Sequence, residues 1–235
     1  YCGYLGGSSI DTGWAVAVDS GGSAYLTGNT TSTTPTFPAI VGPDLTFNGN
    51  TDSFVAKVDP SGSTLLYCGY VGASNTEWGK GIAVDSAGNA YVCGEIYLYS
   101  STGFPVTGGP DLTPNGGIED GFIAKVNPAG TGFVYCGFIG GSGADKALGV
   151  AVDASGRAHV VGTTDSSEAT FPVAGGPDLT HNGSYDAFLA TVSSGGDSLV
   201  ECGYIGGSGA DQGLGIAVDT AGNAYVCGST ESTET

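Results

Sequence analysis

Cations are scarce in this chain: five Lys and Arg stand against 23 Asp and Glu in 235 residues, a formal charge of −18. A surface of that sign repels a phosphate backbone, so no nucleic-acid partner is expected. Histidine occurs only twice, too thinly for a metal cluster or a catalytic triad. No apolar run approaches the ~18 residues that a membrane-spanning helix needs, so membrane insertion is not expected either. Methionine is absent and the first residue is Tyr1, the pattern of a processed, secreted chain or of part of a longer product. Charged residues make up only 12% while 40% are hydrophobic, the reverse of the balance that keeps a chain disordered.

What is abundant is glycine, 44 residues, with ten prolines, a composition that argues against a helix-rich core. Self-similarity organises these residues. The octapeptide from Tyr1, YCGYLGGS, returns from Tyr67, Tyr135 and Glu201, and a VDxxGxAYVxG-like phrase returns with Asp19, Asp85, Asp153 and Asp219, both at offsets of 66, 68 and 66. A third phrase begins at Phe37, Phe104 and Phe171 and has no fourth copy. The units are 1–66, 67–134, 135–200 and a partial 201–235.

Each unit holds four short apolar runs separated by Gly, Asp, Asn and Pro, the signature of consecutive antiparallel strands. In the second unit they are Gly81–Asp85, a run from Ala90, a run from Phe122 and a run from Phe133. Asp at the head of each first-to-second-strand link accepts bonds from amides two residues on, and Gly supplies positive φ. A four-stranded unit cannot bury both faces alone, so copies stack radially into a β-propeller. The fold class expected is therefore all-β: a four-bladed propeller of four-stranded antiparallel blades in one domain, 1–235. Its last blade is incomplete and closed by the N-terminal strand at Tyr1–Leu5.

The VDxxGNAYVxG phrase at Asp219–Gly228, the TxxFP-type phrase at Thr170–Pro172, Asp186–Ala190 and the YxGGSGxD phrase at Tyr204–Asp211 together resemble the SBBP (seven-bladed β-propeller) repeat family. The resemblance spans nearly the whole chain and implies a propeller in surface or secreted proteins. It implies no activity, because the shared residues are those of strands and turns. The recurrent Cys and the small number of units depart from that pattern.

Six cysteines recur in phase: Cys2, Cys68, Cys136 and Cys202 at one position, Cys93 and Cys227 at another. The repeated spacing of 25 suggests Cys68–Cys93 and Cys202–Cys227 bridges, with Cys2 and Cys136 left for intersubunit bonds; a Cys2–Cys227 clasp and six free, buried thiols are the rivals. Carboxylates recur too, as Asp44, Asp111 and Asp178, then Asn48, Asn115 and Asn182, then Asp52, Asp120 and Asp186. Asx turns account for them; calcium is the one metal such oxygens suit, and otherwise no cofactor is expected. Asp145 and Asp211, with Glu77 in the sister copy, read the same way. Because the acids obey the repeat, whereas a glycosidase pair would break it, no catalytic residue and no enzyme is expected. His159 stands where other copies have Tyr and reads as packing; His181 reads as exposed loop. Asn29 and Asn182 fit the N-glycosylation pattern, and Tyr97, Leu98 and Tyr99 form an asymmetric aromatic loop.

An unpaired strand edge in the last blade is a template for assembly. The function expected is an extracellular or cell-surface structural protein whose copies join into a filament, tube or surface layer through the terminal blade and disulfides. The alternative is a binding module of an adhesin, with a glycan as its partner.

Overall fold

The computed structural model describes residues 1–99 and 102–233. Fourteen strands and no helix occur among the described residues. Three four-stranded antiparallel sheets follow in chain order: β1–β4 (Asp11–Val18, Ala24–Thr30, Asp52–Val58, Leu65–Val71), β5–β8 (Thr76–Val84, Ala90–Tyr97, Glu119–Val126, Phe133–Ile139) and β9–β12 (Asp145–Val152, Ala158–Thr164, Asp186–Val192, Leu199–Ile205). The fourth sheet holds only β13 (Asp211–Val218) and β14 (Ala224–Thr230). Strands pair in sequence order within every sheet, so each sheet is an up-and-down meander.

Side chains alternate across a strand, and both faces of these sheets are apolar. Phe54, Ala56, Cys68 and Tyr70 form one face of the first sheet, and Tyr25, Val55, Tyr67 and Val71 the other. That second face packs on Val92, Phe122, Ala124 and Cys136 of the second sheet. The back of the second sheet, with Tyr91, Cys93, Ile123 and Tyr135, packs in turn on Val160, Phe188, Ala190 and Cys202 of the third. The stacking keeps one sense throughout and runs through the first strand of each sheet, β1 on β5, β5 on β9 and β9 on β13. This is a propeller-like arrangement of sheets around their first strands.

One junction is built repeatedly. The Tyr25 hydroxyl donates to the turn aspartate Asp19 of its own sheet at 3.0 Å and approaches the Gly88 carbonyl of the next sheet's turn at 3.4 Å. Tyr91 does the same with Asp85, at 3.0 Å, and with Gly156, at 3.1 Å. Lys57 and Lys125 lie over the two tyrosine rings, 4.7 and 4.9 Å from their centroids. In the third sheet His159 takes the tyrosine's place with Asp153 as its partner, 3.3 Å away, and Thr191 takes the lysine's, 3.1 Å from His159 Nδ1. His159 is thus a packing substitute, as its register with the tyrosines implies.

Among the described residues the expected ring closure is not seen. Tyr1–Leu5 carries no strand and does not pair with β14. Instead it lies over the open face of the first sheet, with Tyr1 against Gly62, the relation that Tyr67 holds to Gly130 and Tyr135 to Gly196. It sits where the last strand of a preceding sheet would lie, above an apolar groove of about 430 Å³ between Tyr4, Val16, Leu26 and Leu65. Val16 and Val18 on this side are 63% and 61% exposed, and Tyr225 at the other end is 60% exposed, so the two end faces do not cover one another.

The turn aspartates set the acid limit of the fold. The Ser23 amide leads the bonds that hold the Asp19 carboxyl below its usual range, and the Asn223 side chain leads those that hold Asp219 at about 2. Burial opposes ionisation of Asp85 and Asp153, but bonds from Asn89 and Tyr91 to the first, and from Ser155, Arg157 and His159 to the second, outweigh it. A depressed folded-state value contributes stability above the unfolded pKa of about 4, and that stability is lost as pH falls through the folded value. Circular dichroism melts should therefore show the melting temperature dropping steeply between about pH 4 and pH 2, and a flat profile there would contradict this account of the turns.

Candidate functional site

All four first strands carry a β-bulge at the same point. The register skips Trp14 between Gly13 and Ala15, Lys80 between Gly79 and Gly81, Leu148 between Ala147 and Gly149, and Leu214 between Gly213 and Gly215. A bulge leaves its residue unpaired and turns the side chain out of the ladder. The bulge positions are thus free to vary, and they hold Trp, Lys, Leu and Leu.

Around the first two bulges the repeat breaks down. The Lys80 ammonium lies 4.3 Å from the Trp14 ring centroid and 4.4 Å from that of Trp78, so one cation sits between the chain's two indoles. Trp78 pairs with Glu95 across β5 and β6, and its ring meets Tyr97 edge-on at 5.7 Å. Glu95 Oε1 is 3.5 Å from Lys80 Nζ, and its Oε2 is 3.7 Å from Lys146 Nζ. The same Lys146 ammonium reaches Glu119 Oε1 at 2.8 Å. Two carboxylates of adjacent strands are therefore tied to one lysine, and two lysines balance their charge. Trp14 anchors itself by donating from Nε1 to Asn29 Oδ1 at 2.6 Å and leaves its ring 52% exposed.

Glu95 and Glu119 are 2% and 4% exposed, and Glu119 Oε2 is buried with no donor. Burial raises the Glu95 carboxyl above its ordinary range although Lys80 and Lys146 pull the other way. Burial lowers the Lys146 ammonium, but the bond to Glu119 and the charge of Glu95 reverse that and leave it raised. Chemically the cluster offers an exposed aromatic face beside charge-assisted donors and acceptors in a partly dry setting.

These are residues the repeat reading missed. The acids do not all obey the repeat: Glu95 stands where sister copies have Asn29, Thr163 and Ser229, and Glu119 where they have Thr51 and Tyr185. Lys146 likewise replaces Thr12, Trp78 and Gln212. Comparing the repeat copies at the positions that differ, rather than at those that agree, marks all of them.

The anticipated residues lie elsewhere. Asp44, Asp111 and Asp178 accept from the side-chain amides of Asn48, Asn115 and Asn182 at 2.7, 2.8 and 2.9 Å. The backbone amides of those asparagines donate to Asp52, Asp120 and Asp186, so the loop acids form the expected Asx geometry. His181 is not free loop surface: its half-buried ring packs edge-on against Tyr204 at 5.6 Å, as Phe47 packs on Tyr70 at 5.9 Å. Asn29 lies within β2, with its side chain engaged by Trp14, whereas Asn182 is an exposed loop residue. Tyr97 joins the Trp78 cluster, Leu98 packs on the core and Tyr99 is 66% exposed.

All six cysteines are free, which corrects the expected bridges. Cys68 points to the outer face of the first sheet and Cys93 to the back of the second, so both sheets stand between them. Cys202 and Cys227 occupy the same relative positions in the later sheets. Cys136 is sealed between the first and second sheets, out of reach of another subunit. Cys2 and Cys227 are exposed and unbonded. Burial pushes the thiols of Cys68, Cys93 and Cys202 up to about 12, so they are protonated and inert. A thiol reagent should label Cys2 and Cys227 promptly in the native protein and the remaining four only after unfolding, while reductant leaves the melting temperature unchanged. A melting point that drops on reduction would restore the bridges.

The SBBP beta-propeller repeat is found at two places in the chain, residues 67–97 and 204–234. Each stretch begins in the last strand of one sheet and continues through the first two strands of the next, so the family's unit is centred on the junction between sheets. No match was found among curated proteins.

Proposed function

We propose that this chain is a saccharide-binding propeller module whose site is the Trp14, Trp78, Lys80, Glu95, Glu119 and Lys146 cluster. The observation that carries the reading is the concentration of both indoles and two lysine-bridged buried carboxylates at one break in an otherwise regular repeat. The apolar C–H face of a sugar ring stacks on the exposed Trp14 indole. Its hydroxyls meet the partly exposed Lys146 ammonium, which the buried Glu95 and Glu119 carboxylates hold in place from beneath and so orient. An acidic, lightly charged surface in an extracellular or cell-surface setting accompanies this reading. The cysteine content does not bear on the compartment, because buried thiols persist in reducing and oxidising surroundings alike.

The test is a saccharide array followed by calorimetry with the best sugar. Trp14→Ala should weaken binding about tenfold, equivalent to roughly 1.4 kcal/mol, and Glu119→Gln should weaken it further while the melting curve is retained. An array without signal, or Trp14→Ala binding as tightly as the parent, sinks the proposal.

A second reading, end-to-end assembly, is favoured by the groove beside Tyr1–Leu5, where Tyr1 on Gly62 repeats the junction contact of Tyr67 on Gly130 and Tyr135 on Gly196. A four-bladed ring would need β13 and β14 of the same chain to cover the first sheet; in assembly the same hairpin of a second copy fills the groove beside Tyr1–Leu5. The Tyr225 hydroxyl, already bonded to Asp219 at 3.1 Å, would then meet the partner's Gly22 carbonyl, as Tyr91 meets Gly156. Because the contact is heterologous, it grows into a filament unless its rotation closes. Sedimentation should show mass rising with concentration for the wild type and a monomer for Val16→Asp/Val18→Asp. A wild type that stays monomeric at high concentration without reductant ends this reading.

A further inference from the structure

Every junction between successive sheets buries a pair of carboxyl groups that saccharide binding does not use. Asp52, Asp120 and Asp186 are the first or second residues of the third strands of the first three sheets, and Glu77, Asp145 and Asp211 are the first or second residues of the first strands of the sheets that follow. Five of these six residues are 0% exposed and Asp211 is 3% exposed. No lysine, arginine or histidine forms a salt bridge with any of them among the described residues.

At the second and third junctions the paired groups converge over a glycine, and at the first the corresponding Gly72 meets Asp52. A Cβ placed on Gly140 would lie 2.9 Å from Asp120 Oδ1 and 2.9 Å from Asp145 Oδ2. One on Gly206 would lie 2.6 Å from Asp186 Oδ1 and 2.8 Å from Asp211 Oδ2. Each third-strand aspartate spends its Oδ2 on the amide of Asn48, Asn115 or Asn182, at 2.9, 2.9 and 2.8 Å. Its Oδ1 is buried without a donor in all three, and so is Glu77 Oε1. Backbone oxygen is at hand as well: Asp186 Oδ1 and the Gly207 carbonyl both crowd Gly183, and the Ala73 carbonyl crowds Gly49 at the equivalent place.

A lone buried carboxylate oxygen without a donor is costly. Three in register, each facing a second acid, call for a common partner that accepts oxygen ligands. We propose that each of the three junctions binds a divalent cation of the calcium class, held by Asp52 with Glu77, Asp120 with Asp145, and Asp186 with Asp211, and completed by backbone carbonyls and water. Hard cations take six to eight oxygens and tolerate a mixed set of this kind. No group of three or more Asp, Glu, His or Cys side chains converges among the described residues, so each centre is a two-carboxylate one.

The experiment uses chelator-treated protein at pH 8, titrated calorimetrically with calcium chloride and melted with and without 1 mM calcium. Uptake should approach three ions per chain, and the melting temperature should rise by about 5 °C or more. Asp52→Asn/Asp120→Asn/Asp186→Asn keeps the shape and removes one charge from each pair. It should melt in chelator no lower than the wild type and lose the calcium response. Should that variant fail to fold, Glu77→Gln alone should reduce the stoichiometry by one. Absence of calcium uptake by the wild type overturns the proposal, as does undiminished uptake by the triple variant. So does a wild type whose melting temperature falls from pH 5 to pH 8 and ignores calcium, since a shared proton then fills the gap. None of these readouts depends on saccharide binding.

Discussion

The hydroxyl of a second-strand tyrosine, bonded to its own turn aspartate and to a glycine carbonyl of the next sheet, is the contact on which the stack depends. Tyr25 and Tyr91 make it, and it determines three things together: the turn geometry of one sheet, the spacing to the next and the sense of rotation between them. Short meanders with two apolar faces are unstable alone. A link that fixes neighbour to neighbour turns them into a continuous core. Its chemistry is replaceable as a unit, since His159 and Thr191 substitute together for tyrosine and lysine and keep the aspartate engaged.

Repetition and its failure carry different information. Residues in phase build junctions, and the family match, which straddles sheet boundaries, falls on that part of the chain. The bulge residues escape this demand because they lie outside the ladder, and that freedom lets Trp14 and Lys80 meet Trp78, Glu95 and Lys146 across two sheets. The junction acids are the opposite case: a carboxylate recurs at every junction, Glu77 standing for aspartate at one, yet their buried oxygens are unexplained by turn formation alone.

Much of the architecture was legible in the residues. Alternating runs such as those from Ala90 and Phe122 became β6 and β7, and the Asp85 turn formed as its Asp and Gly demand. Closure is not seen among the described residues: Tyr1–Leu5 resembles a last strand and takes that strand's place, but without inner strands beside it. The cysteine spacing misled for a geometric reason: a constant offset of 25 links positions on opposite sides of two stacked sheets. The Glu95 and Glu119 pair went unseen because a search for agreement between repeats passes over the residues that disagree.

The sequence by itself determined strand, turn and repeat, since alternation, glycine φ and Asx bonding act over a few residues and need no knowledge of the rest of the chain. Only the tertiary structure decided which faces meet, which thiols are sealed and which acids share a lysine. Those relations join residues on different sheets, and sheet stacking, a cooperative burial of apolar surface, is not encoded in any one segment.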